Sequence, residues 1–203
     1  MTPVALATED ALSEAIGKRL LDELGPHLAT QTLIRKHGSG YLRSRLGSWC
    51  QMAQRQAIVI LTDLDRAPCP AALLNEWFGQ SRRPVNLLLR VAVREAESWL
   101  MADHEAMRQL IGVRGVLPAQ PDDLPDPKRH LLKLAKLAPR QVRLDLIKDA
   151  GAVSSQGIGY NARLTEFVRT NWSPARAAQR SPSLNRARVR MRELALRLSN
   201  GLP

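Results

Sequence analysis

The chain has 203 residues, of which 44% are hydrophobic and 24% are charged, a composition that is ordinary for a folded, soluble protein. No apolar run approaches the roughly 20 residues of a membrane-spanning helix, and no basic start leads into the apolar core of a secretory signal. Cys50 and Cys69 lack the spacing of a zinc or redox motif, so we expect reduced thiols in a cytoplasmic protein without a membrane partner.

The positive charge is concentrated in the second half of the chain. The net charge is +11, and residues 1–103 contain 12 Lys and Arg against 11 Asp and Glu, whereas residues 104–203 contain 18 against 8. A basic surface gains affinity for polyanions because it releases counterions from their phosphates. Nucleic acid, either DNA or RNA, is therefore the expected partner, and a solvated basic surface without any partner is the alternative.

The first half alternates between short apolar runs and segments with apolar residues at helical spacing. The predicted strands are Val4–Ala7, Thr32–Ile34, Ile58–Leu61 and Leu87–Val93. Between the first two, apolar residues recur every four positions up to the stop at Gly25-Pro26. Strands that alternate with helices in this way predict an α/β core over residues 1–103, with a mostly parallel sheet and helices on both faces.

The second half has a different pattern, which predicts a basic, mainly helical extension over residues 104–203, packed on the core. A loop rich in Gly, Pro and Asp precedes a basic helix at 128–138. Residues 154–159 are small and predict another loop, and no strong strand signal occurs in this half. The last helix begins at Ser181, a good capping residue followed by proline.

Acidic residues follow three of the four predicted strands. Glu9 comes after the first strand, and the other four come after the third and fourth, namely Asp63, Asp65, Glu95 and Glu97. Because ligands of open parallel sheets bind outside the carboxyl ends of the strands, we expect these acids to meet at one edge. Two acids that are two positions apart also project to the same side while the backbone stays extended.

This acidic edge predicts a Mg²⁺ or Mn²⁺ site, because adjacent carboxylates repel unless a cation lies among them and oxygen ligands suit hard cations. A metal held there can activate water and neutralise charge on a phosphate. The expected ligands are Glu9, Asp63, Asp65, Glu95 and Glu97. All of these except Glu95 are also the predicted catalytic residues, with Glu95 and Asp103 as supporting acids. Helix capping and turn formation are the alternative roles for each acid.

These positions resemble the motifs of the Toprim domain, which has a glutamate after its first strand and a DxD after a later, buried strand. Glu9 matches the glutamate, Asp63 and Asp65 match the DxD, and Glu14 matches a second acidic position of nuclease branches. The resemblance implies a Toprim/Rossmann-like fold. It also implies the chemistry of a family that includes topoisomerases, bacterial primases, a 5S ribosomal RNA maturase and overcoming-lysogenization-defect nucleases.

The chain looks closer still to small bacterial Toprim-like proteins of unknown function that are related to the overcoming-lysogenization-defect nucleases. The matching stretches are Val91–Asp103, Gly159–Asn161 and Ser181–Leu184. Such families often occur beside ATPases in anti-phage defence, so the resemblance implies a partner ATPase. One departure is Asp10, which stands where the family has glycine after its first-motif glutamate and adds a negative charge there.

Basic residues beside the predicted site are candidate phosphate contacts, which would position a strand without reading its sequence. Two of them follow the second strand and four lie on the predicted basic helix: Arg35, Lys36, Lys128, Arg129, Lys133 and Lys136. Solvent exposure alone is their alternative role. Trp99 is expected in the core. Tyr160-Asn161 predicts either a nucleic-acid contact or a helix start capped by the asparagine.

The sequence therefore predicts a metal-dependent nuclease that hydrolyses phosphodiester bonds in DNA or RNA, with Glu9 as an alternative general acid or base. No tyrosine is expected beside the acidic cluster as a covalent nucleophile, which disfavours topoisomerase chemistry. A non-catalytic nucleic-acid-binding module that works with a partner ATPase is the second hypothesis, and a toxin-like RNase is the third. The oligomeric state, including a homo-oligomer, stays open at this point.

Overall fold

Four parallel strands form the central sheet in a computed structural model of the chain, which describes residues 2–25, 28–35, 39–150 and 153–200. The strands are β1 (Thr2–Thr8), β2 (Leu28–Arg35), β3 (Ala57–Asp63) and β4 (Leu87–Ala92). Their spatial order is β2-β1-β3-β4, so β1 and β3 are the central strands. The predicted α/β fold with a parallel sheet is confirmed.

The described part of the first half contains five helices: α1 (Ala11–Asp22), α2 (Ser39–Ser44), α3 (Leu46–Met52), α4 (Pro70–Phe78) and α5 (Glu97–Ala102). Local capping chemistry sets where the long ones begin. The Asp10 carboxylate accepts the Ser13 N–H at the start of α1, and proline occupies the first position of α4, where a missing N–H costs no hydrogen bond. Each helix thereby starts immediately after a strand-end loop.

The second half is mainly helical, as predicted, but it also contains a small antiparallel pair of strands that the sequence did not predict. The pair is β5 (Ile147–Ala150) and β6 (Val153–Gln156). The remaining elements are α6 (His104–Ile111), a 3₁₀ turn (Pro121–Asp123), α7 (Pro127–Ala135), α8 (Arg140–Leu146), α9 (Tyr160–Thr170), α10 (Pro174–Ala177) and α11 (Pro182–Ser199). Strands of four residues with polar and small side chains have too little apolar alternation to be told from a loop.

The sheet is covered on both faces. Successive side chains of a strand point to opposite sides, and alternate residues belong to two separate buried clusters. Leu6 and Val59 belong to one buried cluster, and Ile58 and Ile60 belong to the other. The first cluster contains residues from both halves of the chain, and Trp99 lies fully buried within it, as expected for a core residue. The division into two domains at residue 103 stays a prediction. Within the described ranges, no helix combines the length and hydropathy that crossing a bilayer requires.

Candidate functional site

Glu9 and Asp63 lie together where the two central strands end. Glu9 immediately follows β1. Asp63 is the last residue of β3, the strand that lies next to β1 in the sheet. The Glu9 Oε1 atom accepts the Asp63 backbone N–H at 3.1 Å and also accepts the hydroxyl of Thr62. The parallel arrangement of β1 and β3 therefore brings two sequence-distant acids into direct contact, as the strand-end argument predicts.

The structure explains how Asp10 can stand where the resemblance implies a glycine. Its backbone is extended, with φ −147° and ψ −176°, and its carboxylate caps α1 by accepting the Ser13 N–H at 2.8 Å. This conformation suits any residue, so the turn does not require the glycine that the resemblance implies. Asp10 also adds negative charge at this edge, which raises the pKa of both Glu9 and Asp63. Glu14 lies in the first turn of the same helix.

At the acidic edge, burial and neighbouring negative charges disfavour the ionised form of the carboxyl groups. Burial raises the pKa of Asp63 well above its ordinary value, and the charges of Glu97, Glu9 and Asp65 raise it further. Burial also raises the pKa of Glu9, although the hydrogen bonds from Thr62 and the Asp63 N–H partly offset this effect. The cluster thus carries an unfavourable excess of negative charge, which a bound cation or proton would relieve.

Asp65 does not share the extended geometry assumed for the DxD pair. The strand ends at Asp63, and Asp65 is exposed in the left-handed region with φ 49°. Its N–H donates to the carbonyl of Arg94, which is itself left-handed with φ 61°, and the Arg94 guanidinium donates back to the Asp65 carbonyl. The prediction that both acids project from one side of a strand is wrong, because this turn intervenes.

Glu97 is buried, and its carboxylate has a specific partner from the second half of the chain. Its Oε1 atom accepts the hydroxyl of Tyr160 at 2.7 Å, and burial raises the pKa of both groups. A tyrosine therefore lies beside the acidic cluster, whereas the expectation that none acts there as a covalent nucleophile stays a prediction. Tyr160 is only 1% exposed, so its hydroxyl serves here as a hydrogen-bond donor in the interior. It is the first residue of α9, which starts without a side-chain cap from Asn161.

Glu95 is occupied at the start of α7. Its Oε2 atom accepts the backbone N–H of Lys128 at 2.8 Å, one of the unpaired donors at a helix N-terminus. Burial raises its pKa, while this hydrogen bond opposes the rise. Glu95 and Glu97 follow β4 in a turn and a helix, so their carboxylates reach different partners and do not act as a same-side pair.

Asp103 is a structural residue and lies outside the acidic edge. Its fully buried carboxylate forms two hydrogen bonds with the Arg176 guanidinium, at 2.8 and 2.9 Å, and accepts the Ser173 N–H at 2.8 Å. It also caps α6 by accepting the Ala106 N–H. These contacts tie α5 and α6 to α10 and use all its acceptor capacity, so the expectation that Asp103 supports a metal site is wrong.

The predicted basic residues divide into three groups. Lys36 lies outside the described residues, and Arg35 ends β2 with a side chain about which the structure says nothing. Lys128 is half-buried, with its ammonium 5.2 Å from the centre of the Tyr160 ring, which places it next to the acidic edge. The remaining three are exposed on or just after α7: Arg129, Lys133 and Lys136.

The acidic edge offers few side chains that could bind a metal ion together. Among the described residues, no group of three or more His, Cys, Asp or Glu side chains is arranged to hold an ion. The donor chemistry nevertheless suits Mg²⁺ or Mn²⁺, because Glu9 and Asp63 offer carboxylate oxygens in a cluster with excess negative charge. A five-carboxylate cage is not what the structure presents, since one oxygen of Glu95 accepts the Lys128 N–H and one oxygen of Glu97 accepts the Tyr160 hydroxyl, although the charge of Glu97 still acts on Asp63.

Comparisons with family models, curated proteins and solved structures give no match. A functional proposal for this chain therefore rests mainly on the geometry of the acidic edge.

Two residues of the edge could not be identified from the sequence as part of the site. Thr62 donates to Glu9 across 53 positions, and Tyr160 donates to Glu97 across 63 positions. Thr62 precedes Asp63 directly, so its presence near the site follows from the strand end, but its partner does not. Tyr160 lies in the second half, at the start of α9, and the docking of α9 brings it to Glu97.

Proposed function

We propose that this protein is a Mg²⁺- or Mn²⁺-dependent nuclease that hydrolyses phosphodiester bonds of DNA or RNA. The observation that carries the proposal is the contact of Glu9 with Asp63 at the carboxyl edge of the central strands, inside a cluster whose charges raise one another's pKa. Unbalanced carboxylates at the functional edge of a parallel sheet favour a site for a cation and a phosphate. The resemblance to Toprim nucleases supports the same assignment of Glu9 and Asp63.

Glu9, Asp63 and the exposed Asp65 would hold the cation together with oxygens of the substrate phosphate. Mg²⁺ commonly uses one or two protein carboxylates, several waters and substrate phosphates, so this small ligand set is sufficient. When bound, the cation would neutralise charge on the phosphate and lower the pKa of a coordinated water. The exposure of Asp65 keeps this side of the cluster open to a strand.

Hydrogen bonds within the protein would hold the other carboxylates of the acidic edge in place. Tyr160 fixes the Glu97 carboxylate, and the α7 N-terminus fixes that of Glu95. The Glu9 carboxylate is held by the hydrogen bonds that it accepts from Thr62 and from the Asp63 N–H, which positions it to bind the cation, and a role as general acid or base is the alternative. Lys128 contributes positive charge beside the edge, where it would attract the nucleic-acid backbone.

The decisive experiment is a cleavage assay on single- and double-stranded DNA and RNA in Mg²⁺ or Mn²⁺. The parent protein is compared with Asp63→Asn, which keeps the size of the side chain and the backbone N–H that Glu9 accepts. Asp22→Asn is the matched control, because Asp22 is an exposed residue at the end of α1. We expect cleavage by the parent and by the control, and at least about a hundredfold loss in Asp63→Asn.

Equal cleavage by the parent and Asp63→Asn would reject the proposed site. Cleavage that persists in EDTA would reject the metal dependence. A substrate that only the parent and Asp22→Asn cut would identify the natural polymer as DNA or RNA.

A non-catalytic nucleic-acid-binding module is the second candidate, and one observation favours it. Two of the five edge carboxylates, Glu95 and Glu97, each have one oxygen engaged by a hydrogen bond, from the Lys128 N–H and from the Tyr160 hydroxyl. Such a module would bind nucleic acid through the basic second half and act with a partner such as an ATPase. Undiminished binding in EDTA, with no cleavage in either metal by the parent, would favour this candidate over the nuclease.

A further inference from the structure

A second polar site lies beside the edge strand β4, between that strand, the end of α4 and α11. It is a pocket of about 340 Å³ whose lining also contains apolar residues, among them Leu88 and Leu194. Four arginines line it, namely Arg83, Arg90, Arg190 and Arg197, together with one acid, Glu193. No residue of this pocket belongs to the acidic edge, which lies beyond the carboxyl ends of β3 and β4.

Arg90 is the central feature of the pocket. It points from the middle of β4, is half-buried, and its Nε atom is buried without a hydrogen-bond partner in the described part of the chain. Burial lowers the pKa of its guanidinium, and the neighbouring charges of Arg190, Arg186 and Arg83 lower it further. A desolvated cation surrounded mainly by like charges costs folding free energy unless an anion joins it.

The other arginines add positive charge that the lining does not balance. The Arg197 Nε atom is likewise buried with no hydrogen-bond partner among the described residues, and another nitrogen of its guanidinium donates to the Val85 carbonyl. Arg190 is exposed and pairs at 2.7 Å with Glu193, the one acid among the described residues that line the pocket. Arg83 lies with its guanidinium carbon 5.6 Å from the centre of the Phe78 ring. The pocket therefore holds more guanidinium groups than the lining can neutralise.

We propose that this pocket binds the phosphate group of a nucleotide or of a nucleic-acid strand end. Guanidinium groups form paired, charge-assisted hydrogen bonds with phosphate oxygens, and arginine is favoured where such planar recognition is needed. The volume lies at the small end of the range for ligand pockets and suits a phosphate with at most one nucleoside attached. The proposal does not depend on the nuclease activity, because it concerns residues outside the acidic edge.

Binding is measured by calorimetry in EDTA at constant ionic strength, with three probes. The probes are pyrophosphate, ADP and a short oligonucleotide compared in its 5′-phosphorylated and 5′-hydroxyl forms. We expect the parent to bind phosphorylated probes and Arg90→Met to bind them at least about tenfold more weakly, since a charged hydrogen-bonding group is lost. Arg192→Met removes the same charge from an exposed position of α11 outside the pocket lining and should bind like the parent.

Two further variants make the assignment specific to the pocket. Glu193→Gln removes the competing acid and releases Arg190, so it should bind pyrophosphate several times more tightly than the parent. Asp63→Asn should leave pyrophosphate binding unchanged, which separates this pocket from the acidic edge. Tighter binding of ADP would identify a free nucleotide as the ligand, and tighter binding of the phosphorylated strand would identify a strand end.

Equal affinity of the parent, Arg90→Met and Arg192→Met would overturn the proposal, as would the absence of phosphate binding below about 1 mM. Unchanged or weaker pyrophosphate binding by Glu193→Gln would also overturn it, and this variant keeps every arginine of the pocket in place.

Discussion

At the acidic edge, the negative charge of an individual carboxyl group lowers the stability of the folded state. The folded-state pKa of Asp63 is raised above the ordinary value of 3.8, first by burial and then by Glu97, Glu9 and Asp65. A carboxyl with a raised folded-state pKa binds its proton more tightly when folded. Its contribution to stability is therefore fully present below the unfolded pKa and is lost as the pH rises through the folded pKa.

We predict that Asp63→Asn is more stable than the parent by about 1–2 kcal/mol at pH 7–8, because the amide carries no charge to repel its neighbours. The difference should shrink as the pH falls through the folded-state pKa and disappear below about pH 3, where the carboxyl is protonated in both the folded and the unfolded state. Urea unfolding at several pH values in EDTA measures it. A difference that is the same at pH 4 and pH 8, or that matches that of Asp22→Asn, would contradict the pKa argument.

The hydrogen bond between Tyr160 and Glu97 joins the two halves of the chain at the edge of the site. Tyr160→Phe removes the donor and leaves a buried carboxylate without its partner, which should lower the free energy of unfolding by about 1–3 kcal/mol. In a double-mutant cycle with Glu97→Gln, the two single effects should not add, with a coupling of about 0.5–3 kcal/mol. Additive effects would show that the bond contributes nothing to stability.

At the level of elements, the contact between α1 and β1 depends on one small residue. A Cβ atom built on Gly17 would lie 2.8 Å from both terminal methyl groups of the buried Leu6, closer than packing allows. Gly47, in α3, has open space around the same position. The two glycines thus form a matched pair, since alanine gains helix propensity at both sites but fits only at one.

Gly17→Ala should lower the free energy of unfolding by about 1–3 kcal/mol, because the packing conflict exceeds the propensity gain. Gly47→Ala should raise it by about 0.5–1 kcal/mol. Chemical denaturation of the two variants beside the parent measures both effects. A stabilising Gly17→Ala would mean that Leu6 moves aside without loss, and that the α1–β1 distance is not set by this glycine.

The elements that sequence patterns predicted are those with strong local signals. The run that forms β3 is β-branched and apolar, and Ser181 caps α11 by accepting the Leu184 N–H at 3.2 Å, so both were predictable. β5 and β6 were not, because four-residue strands without apolar alternation resemble loops. For the site, strand ends predicted the meeting of Glu9 and Asp63, whereas the engagement of Glu95 by Lys128 depends on helix docking across 33 positions and has no local signal.

At the scale of the whole molecule, the asymmetry of charge makes a quantitative prediction for nucleic-acid binding. Arg129 and Lys133 are exposed on α7, in the half that contains 18 of the 30 Lys and Arg residues. If both contact phosphates, each releases counterions, and binding to a duplex should weaken with a slope of about 0.9 per contact on a log–log plot against salt. The combined variant Arg129→Gln/Lys133→Gln should therefore bind more weakly and reduce that slope by up to about 2.

The control removes two exposed arginines from the near-neutral half, in the variant Arg45→Gln/Arg55→Gln. Both variants lose the same net charge, so a general attraction between the protein and DNA would change equally in the two. Fluorescence anisotropy with a short labelled duplex, in EDTA and over a series of salt concentrations, gives both slopes. A reduced slope only for Arg129→Gln/Lys133→Gln would locate phosphate contacts on α7, because direct counterion release depends on which cations touch the backbone and not on net charge alone. Equal slopes for the two variants would reject α7 as the binding surface.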